Sequence, residues 1–219
     1  MSKKKTLLTI LAVMLVCCIA VVGTLAFLTE ETDEAVVNTF TAAGGGKLIE
    51  DDGSFDLKEH EAVRQDDGSY ELNTTEVQAN DYSVVPSTDL PKDPFVRILK
   101  KTEVPAYLYV EVVDGLANSG LSYTMADCWA KLDGVTGKNS GAVYVYCDAT
   151  TKAPVIVTNE TDLSSIAVLS GNIVKVDDSI SITAENGIQL KFYGYLAQAS
   201  AGAPADAFNI CFNNTEAGA

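Results

Sequence analysis

Short runs of alternating apolar and polar residues set the character of this chain. In Ala106–Val113, Leu108, Val110 and Val112 fall on one side, and Tyr107, Tyr109 and Glu111 fall on the other. That period of two marks a strand with one buried face. Val143, Val145 and Cys147 alternate with Tyr144 and Tyr146, and Ile180 and Ile182 alternate with Ser179, Ser181 and Thr183 across Ser179–Ala184. Phe95–Lys101, Met125–Leu132 and Ile188–Ala197 are further strand candidates, with Gly, Asn, Asp and Pro between the runs. Many short strands separated by turn residues predict an all-β domain, a sandwich or jelly roll. One helix is expected, near the C-terminus. Pro204 suits a first helical turn, after which Ala207, Phe208, Cys211 and Phe212 share one face. The small, polar tail 214–219 is expected to fray.

The N-terminal pattern is different. Lys3, Lys4 and Lys5 precede an uncharged run from Thr6 to Leu28, and Glu30, Glu31, Asp33 and Glu34 follow it closely. A basic start before an apolar core is an export signal, with the basic end retained on the cytoplasmic side. Gly23, Thr24 and Ala26 form a small-x-small exit, so cleavage is expected after Ala26. The run is long enough to span a bilayer as a helix, which leaves an uncleaved anchor as the alternative. Lipid attachment at Cys17 or Cys18 fits less well, because both sit inside the apolar run without small residues before them. Removing 26 of the 219 residues leaves 193, enough for one full-sized core. The expected organisation is therefore a signal over 1–26, an extended arm over 27–46, a β domain over 47–213 with an acidic hairpin region at 48–81, and the tail.

Composition narrows the function more than it defines it. The 15 basic and 30 acidic residues give a net charge of −15. A surface of that sign repels phosphate backbones, so nucleic acid is not an expected partner. Within 48–81 the segment Asp51-Asp52-Gly53-Ser54-Phe55-Asp56-Leu57 is echoed by Asp66-Asp67-Gly68-Ser69-Tyr70-Glu71-Leu72. Clustered acids suit Ca²⁺, but the spacing matches no Ca²⁺ loop, and two Asp-Gly turns leading into strands are the simpler reading. The chain has a single His, His60 in Lys58-Glu59-His60-Glu61, so the common His-based zinc sites cannot be assembled. A surface position is expected for it. No Gly-x-Ser-x-Gly elbow and no Gly-rich phosphate loop occurs. No catalytic residue, metal ligand or cofactor is therefore assigned. Cys128, Cys147 and Cys211 remain after cleavage, an odd number, and are read as reduced core thiols in preference to a disulfide. Asn73, Asn159 and Asn213 begin Asn-x-Thr patterns, which mean little in a bacterial protein.

One stretch has a family resemblance. Gly23-Thr24-Leu25-Ala26-Phe27-Leu28-Thr29 followed by Val37-Asn38-Thr39-Phe40-Thr41 resembles the SipW-type signal region of the TasA/camelysin-like secreted proteins of Gram-positive bacteria. Asp81-Tyr82 through Pro86, and Lys92-Asp93-Pro94-Phe95-Val96, resemble that family's Pro-containing turn and its Lys-Asp-Pro strand entry; Ala106–Val113 resembles the strand that follows. Trp129, Val143–Tyr146, Ile180–Ala184 and the Phe208 helix are similar more loosely, and 42–80 matches nothing in the family. The resemblance implies a jelly-roll-like β-sandwich and signal removal by a SipW-type peptidase. It also implies a secreted, cell-surface or biofilm-matrix protein whose fibres form when the N-terminal segment of one copy adds as a strand to the next. Camelysin-like members are described as metalloproteases, but this chain offers no recognisable zinc site for that activity. Thr, Val and Phe in Phe27–Thr41 favour extended backbone, with Val37 and Phe40 as the side-chain anchors of a donated strand. Self-pairing as the domain's own first strand, exchange with a neighbour, and disorder all remain open for that arm.

Overall fold

The computed structural model describes residues 29–31, 48, 55–98, 102, 104–158, 161, 163–182 and 188–213. Ala26, Val37 and Phe40, the apolar run and the C-terminal tail lie outside the described residues. Among the described residues the protein is built of β-sheets with one short C-terminal helix. Its largest sheet follows the order β1 (Thr29–Glu31), β13 (Leu190–Gln198), β6 (Ala106–Asp114), β9 (Ala142–Tyr146), β8 (Trp129–Thr136), and β10 (Ile156–Val157) also pairs with β6. A second sheet runs β11 (Leu163–Ala167), β5 (Phe95–Ile98), β2 (Phe55–Arg64), β3 (Tyr70–Val77). A small third sheet joins β4 (Leu90–Pro91), β12 (Ile173–Val176) and β7 (Leu121–Ser122). The described pairings are antiparallel.

The main core lies where the first two sheets share one apolar cluster. Leu108, Val110, Val112, Phe192 and Leu196 come from the large sheet, and Phe55, Leu57, Val96, Ile98 and Ile166 from the second. A second cluster forms on the other face of the large sheet. There Tyr109, Val143, Val145 and Tyr195 meet Ala207 and Phe208 of helix α1 (Pro204–Phe208), together with Phe212 in the π-turn Asn209–Asn213 that continues it. Tyr109 Oη donates to Pro204 O at 3.0 Å, fixing the helix start to the sheet. The expected apolar helical face is present, in a shorter helix.

That helix corrects the expectation of a half-buried β6. Residues Leu108 to Val112 are all buried, because the second sheet covers one face of the strand, while α1 over Tyr109 and the 137–141 turn over Glu111 cover the other. Glu111, read from the alternation as facing away from the core, is fully buried. Its Oε1 accepts from the backbone N–H groups of Asn139 and Gly141, both at 2.8 Å, and its Oε2 accepts from Tyr195 Oη at 2.6 Å. Four strand expectations agree with β5, β6, β9 and β13 to within a few residues at their described ends. Met125–Leu132 does not, since its strand begins only at Trp129, and Met125 makes an isolated bridge to Leu169. Residues 179–182 are not a strand. Ser181 N donates a single bond to Ser119 O as the chain passes the 116–120 loop, and no ladder forms.

Candidate functional site

Two places bring polar chemistry together. The first is the β1 edge of the large sheet. Thr29, Glu30 and Glu31 pair in register with Ala197, Leu196 and Tyr195, so part of the segment expected as an arm lies along β13 of its own chain. β13 is bound over its whole length by β6 on its other side, from Leu190↔Asp114 to Gln198↔Ala106. A long, well-paired strand thus presents its outer edge to the N-terminal segment.

The second is the start of β5, where β2 passes. The hairpin β2–β3 turns at Gln65–Ser69, where Gly68 at φ +88° supplies the left-handed residue and Asp67 Oδ1 accepts from Ser69 N at 2.9 Å. The Asp-Gly turn is therefore as expected from the second echo, while 51–54 of the first lie outside the described residues. The expectation of a solvated hairpin holds only for its far half. Phe55, Asp56, Leu57 and Glu59 of β2 are buried, because β2 pairs with β5 inside the second sheet, Phe55↔Ile98 to Lys58↔Phe95.

That pairing sets four ionisable groups against one another. Lys92 Nζ donates to Glu59 Oε2 at 2.6 Å, with Glu59 fully buried and the Lys92 side chain 10% exposed. Asp93 accepts from His60 twice, from the backbone N at 2.9 Å and from Nδ1 at 2.6 Å, which places the proton on Nδ1 beside the carboxylate. His60 is thus tied into the sheet, its side chain 34% exposed and its ring 5.3 Å from that of Phe95. Among the described residues no hydroxyl or thiol is bonded to its other ring nitrogen. Further along, Arg97 bridges Asp56 and Glu76 and meets the Glu76 carboxylate bidentately at 2.7 and 2.8 Å. The Arg97 hydrogen bond holds the Glu76 carboxyl below its ordinary range.

Beside the Glu59–Lys92 pair lies a cavity of about 380 Å³. Leu90, Leu116, Leu121, Ile188 and Leu190 supply apolar wall, and Gln78, Asn80, Asp81, Gln189 and Lys191 supply polar lining. Lys92 Nζ sits 6.0 Å from the Tyr82 ring centroid and 5.9 Å from that of Phe192. Burial, reinforced by the charges of Glu59 and Asp93, pushes the Tyr82 phenol up, so it stays protonated and donates to Pro91 O at 2.6 Å.

Sequence reasoning missed this group, although a signal was present. Phe55, Leu57 and Glu59 have strand spacing, so Glu59 belongs to the core face and needs a cation there; Lys92-Asp93 before Pro94 supplies it. Cys128, Cys147 and Cys211 are free thiols, with Cys147 buried and the other two half-buried. Among the described residues no group of three or more His, Cys, Asp or Glu is placed to hold a metal ion, and no helix is long and apolar enough to cross a membrane. Comparison with family models, with curated proteins and with solved structures finds no match for this chain.

Proposed function

We propose that this chain is a secreted or cell-surface structural protein, a jelly-roll-like β-sandwich that assembles when the N-terminal segment of one copy adds as a strand to the next. The observation that carries this reading is the antiparallel seating of Thr29–Glu31 on Tyr195–Ala197. An edge that accepts this segment from its own chain accepts the same segment from a neighbour with the same backbone bonds. The closed monomer and the open chain of copies therefore differ mainly in connectivity. Head-to-tail exchange of this kind does not close on itself and yields filaments. In this reading the export signal is removed after Ala26 by a SipW-type peptidase, which frees the segment, and Val37 and Phe40 seat their side chains on the acceptor. Other copies of the chain or related matrix proteins are its partners. The resemblance to TasA/camelysin-like proteins and the net charge of −15 fit an exported, soluble subunit.

Deletion of Phe27–Thr41 tests the proposal. Electron microscopy and size-exclusion chromatography should find folded monomers in place of polymers, and the free segment added as a peptide to the intact protein should cap growth. Filaments that persist without the segment refute the proposal. So does a deletion that unfolds the domain, since the segment would then be an obligatory strand of its own chain.

A further inference from the structure

Glu59 and Lys92 are enclosed together in a way the assembly reading does not use. Glu59 is fully buried, the Lys92 side chain is 10% exposed, and Lys92 Nζ lies 2.6 Å from Glu59 Oε2. The ion pairs Lys152–Asp127 and Lys175–Asp89 are longer, at 3.3 and 3.0 Å, and both are open to solvent. Around Lys92 Nζ stand the rings of Tyr82 and Phe192, with centroids 6.0 and 5.9 Å away. Glu59 Oε1 is buried with no hydrogen-bond partner. A buried ion pair is costly unless its remaining polar atoms are bonded, and this one leaves a carboxylate oxygen bare. A neutral covalent product removes both charges from the core.

We propose that Lys92 and Glu59 condense into an intramolecular isopeptide bond between Nζ and Cδ. At an ordinary acceptor angle so short a contact puts Nζ about 3.4 Å from Cδ, inside the roughly 3–3.5 Å of a near-attack geometry. One proton passes along the hydrogen bond from Nζ to Oε2, leaving an amine and a carboxylic acid. The nitrogen lone pair attacks Cδ, and the N–C bond forms. A C–O bond then breaks, and the departing hydroxyl takes a second proton from nitrogen and leaves as water. Amine and carboxylic acid thus give amide and water, with no oxidant, reductant or further reactant. Between free molecules in dilute water hydrolysis wins, but this pair is held within one fold, where effective molarities reach about 10⁵–10⁸ M. Lys92 also lines the cavity of about 380 Å³, which gives the released water an exit. The new bond joins residues 33 apart in the chain and ties β2 to the entry of β5, beyond the end of the ladder at Lys58↔Phe95. A crosslink closing a loop of that length confines the unfolded chain, as a disulfide does.

Mass spectrometry of the full-length chain, kept folded for days and denatured just before injection, tests this. The chain should be one water lighter than its sequence. Asp-Gly steps such as Asp67-Gly68 also lose water, by closing to a succinimide, so the loss has to be located. Trypsin should release a branched peptide, Glu59–Arg64 joined to Gln65–Arg97, with Lys92 uncut and one water missing. Lys92→Arg keeps a cation beside Glu59 but has no amine to condense, so it should show neither the branched peptide nor the loss at Glu59. If that variant does not fold, the peptide map of the unaltered chain decides the matter alone. A chain at its full sequence mass overturns the proposal. So does a loss confined to an Asp-Gly step, with Glu59–Arg64 and Gln65–Lys92 released as separate peptides, or a loss at Glu59 that survives Lys92→Arg. None of these readouts depends on whether filaments form.

Discussion

Replacing Glu111 by Ala removes the acceptor that organises the end of the large sheet, and the loss can be worked from its partners. Asn139 is exposed and can turn its N–H to water, but Gly141 and Tyr195 are buried and their donors are stranded. At about 1–3 kcal/mol for each buried unsatisfied donor, the substitution should cost about 2–6 kcal/mol, a large part of the about 5–15 kcal/mol that holds a typical domain. Glu111→Gln should cost much less, about 1–2 kcal/mol. Its carbonyl can keep the two backbone donors, while its amide nitrogen meets the former Tyr195 and Asn139 Nδ2 donors, so charge assistance and the bonds to Oε2 are lost but the backbone donors stay paired. Urea unfolding followed by fluorescence suits the measurement, because Trp129 is the chain's single Trp and is 4% exposed. A shift in midpoint at constant slope reports stability alone. Gly137 gives an independent check. A Cβ there would collide with the Glu111 carboxyl carbon, so Gly137→Ala should displace the carboxylate and mimic its removal. The double variant should then cost clearly less than the two single losses added. A Glu111→Ala cost below about 1 kcal/mol, equal losses for Ala and Gln, or full additivity with Gly137→Ala would refute the reasoning.

Further outcomes follow from other contacts. Phe208→Ala should cost about 3–5 kcal/mol, because its ring sits 5.2 Å from Tyr109, 5.4 Å from Tyr195 and 5.0 Å from Phe212; near-ultraviolet circular dichroism should lose its tyrosine signal. Burial pushes the Cys211 thiol up to about 11, so at pH 8 only about a thousandth is thiolate, and iodoacetamide should label it roughly a hundredfold more slowly than after unfolding. Glu76 is held below the ordinary carboxyl value of 4.5 by Arg97. Its contribution is therefore full above that value and lost as pH falls through the lower folded value. Arg97→Met should flatten the stability-against-pH curve below about pH 4.5, and an unchanged acid limb would remove the ion pair from the account.

The long strands were legible because their alternation is local. β6 and β9 each carry enough β-branched and aromatic residues to declare a period of two without help from the rest of the chain, and β13 is marked by three aromatics, Phe192, Tyr193 and Tyr195. Burial was less legible, because it depends on what covers a strand. Glu111 has strand spacing with Tyr107 and Tyr109, and nothing in that run reveals that the 137–141 turn closes over it or that α1, almost a hundred residues later, packs on Tyr109 of the same face. The two-residue strands β4, β7 and β10 are too short to have a period, and tertiary pairing alone creates them. Ser179–Ala184 fails for the opposite reason. Residues 183 and 184 lie outside the described residues; 179–182 have the alternation, but among the described residues no ladder partner lies alongside, and an amphipathic pattern without a partner is not a strand.

The edges of the sheets bear on how an added strand would choose its place. An open edge invites pairing, and proteins blunt the edges they do not use with bulges and charge. Among the described residues β8 ends the large sheet opposite β1. Its pairing with β9 shifts register between Lys131 and Thr136, Gly134 takes φ +75°, and Lys131 and Asp133 are exposed. In the second sheet β11 shifts register between Leu163 and Ile166, and the β3 edge carries Glu71 and a shift against β2 between His60 and Ala62. Each of these three edges interrupts the regular spacing an incoming backbone needs. β13 keeps unbroken register with β6 over nine residues, so its outer edge is the straightest template described. Addition should therefore be directional. Copies would join through the N-terminal segment of one and β13 of the next, with the blunted edges remaining on the outside of any filament.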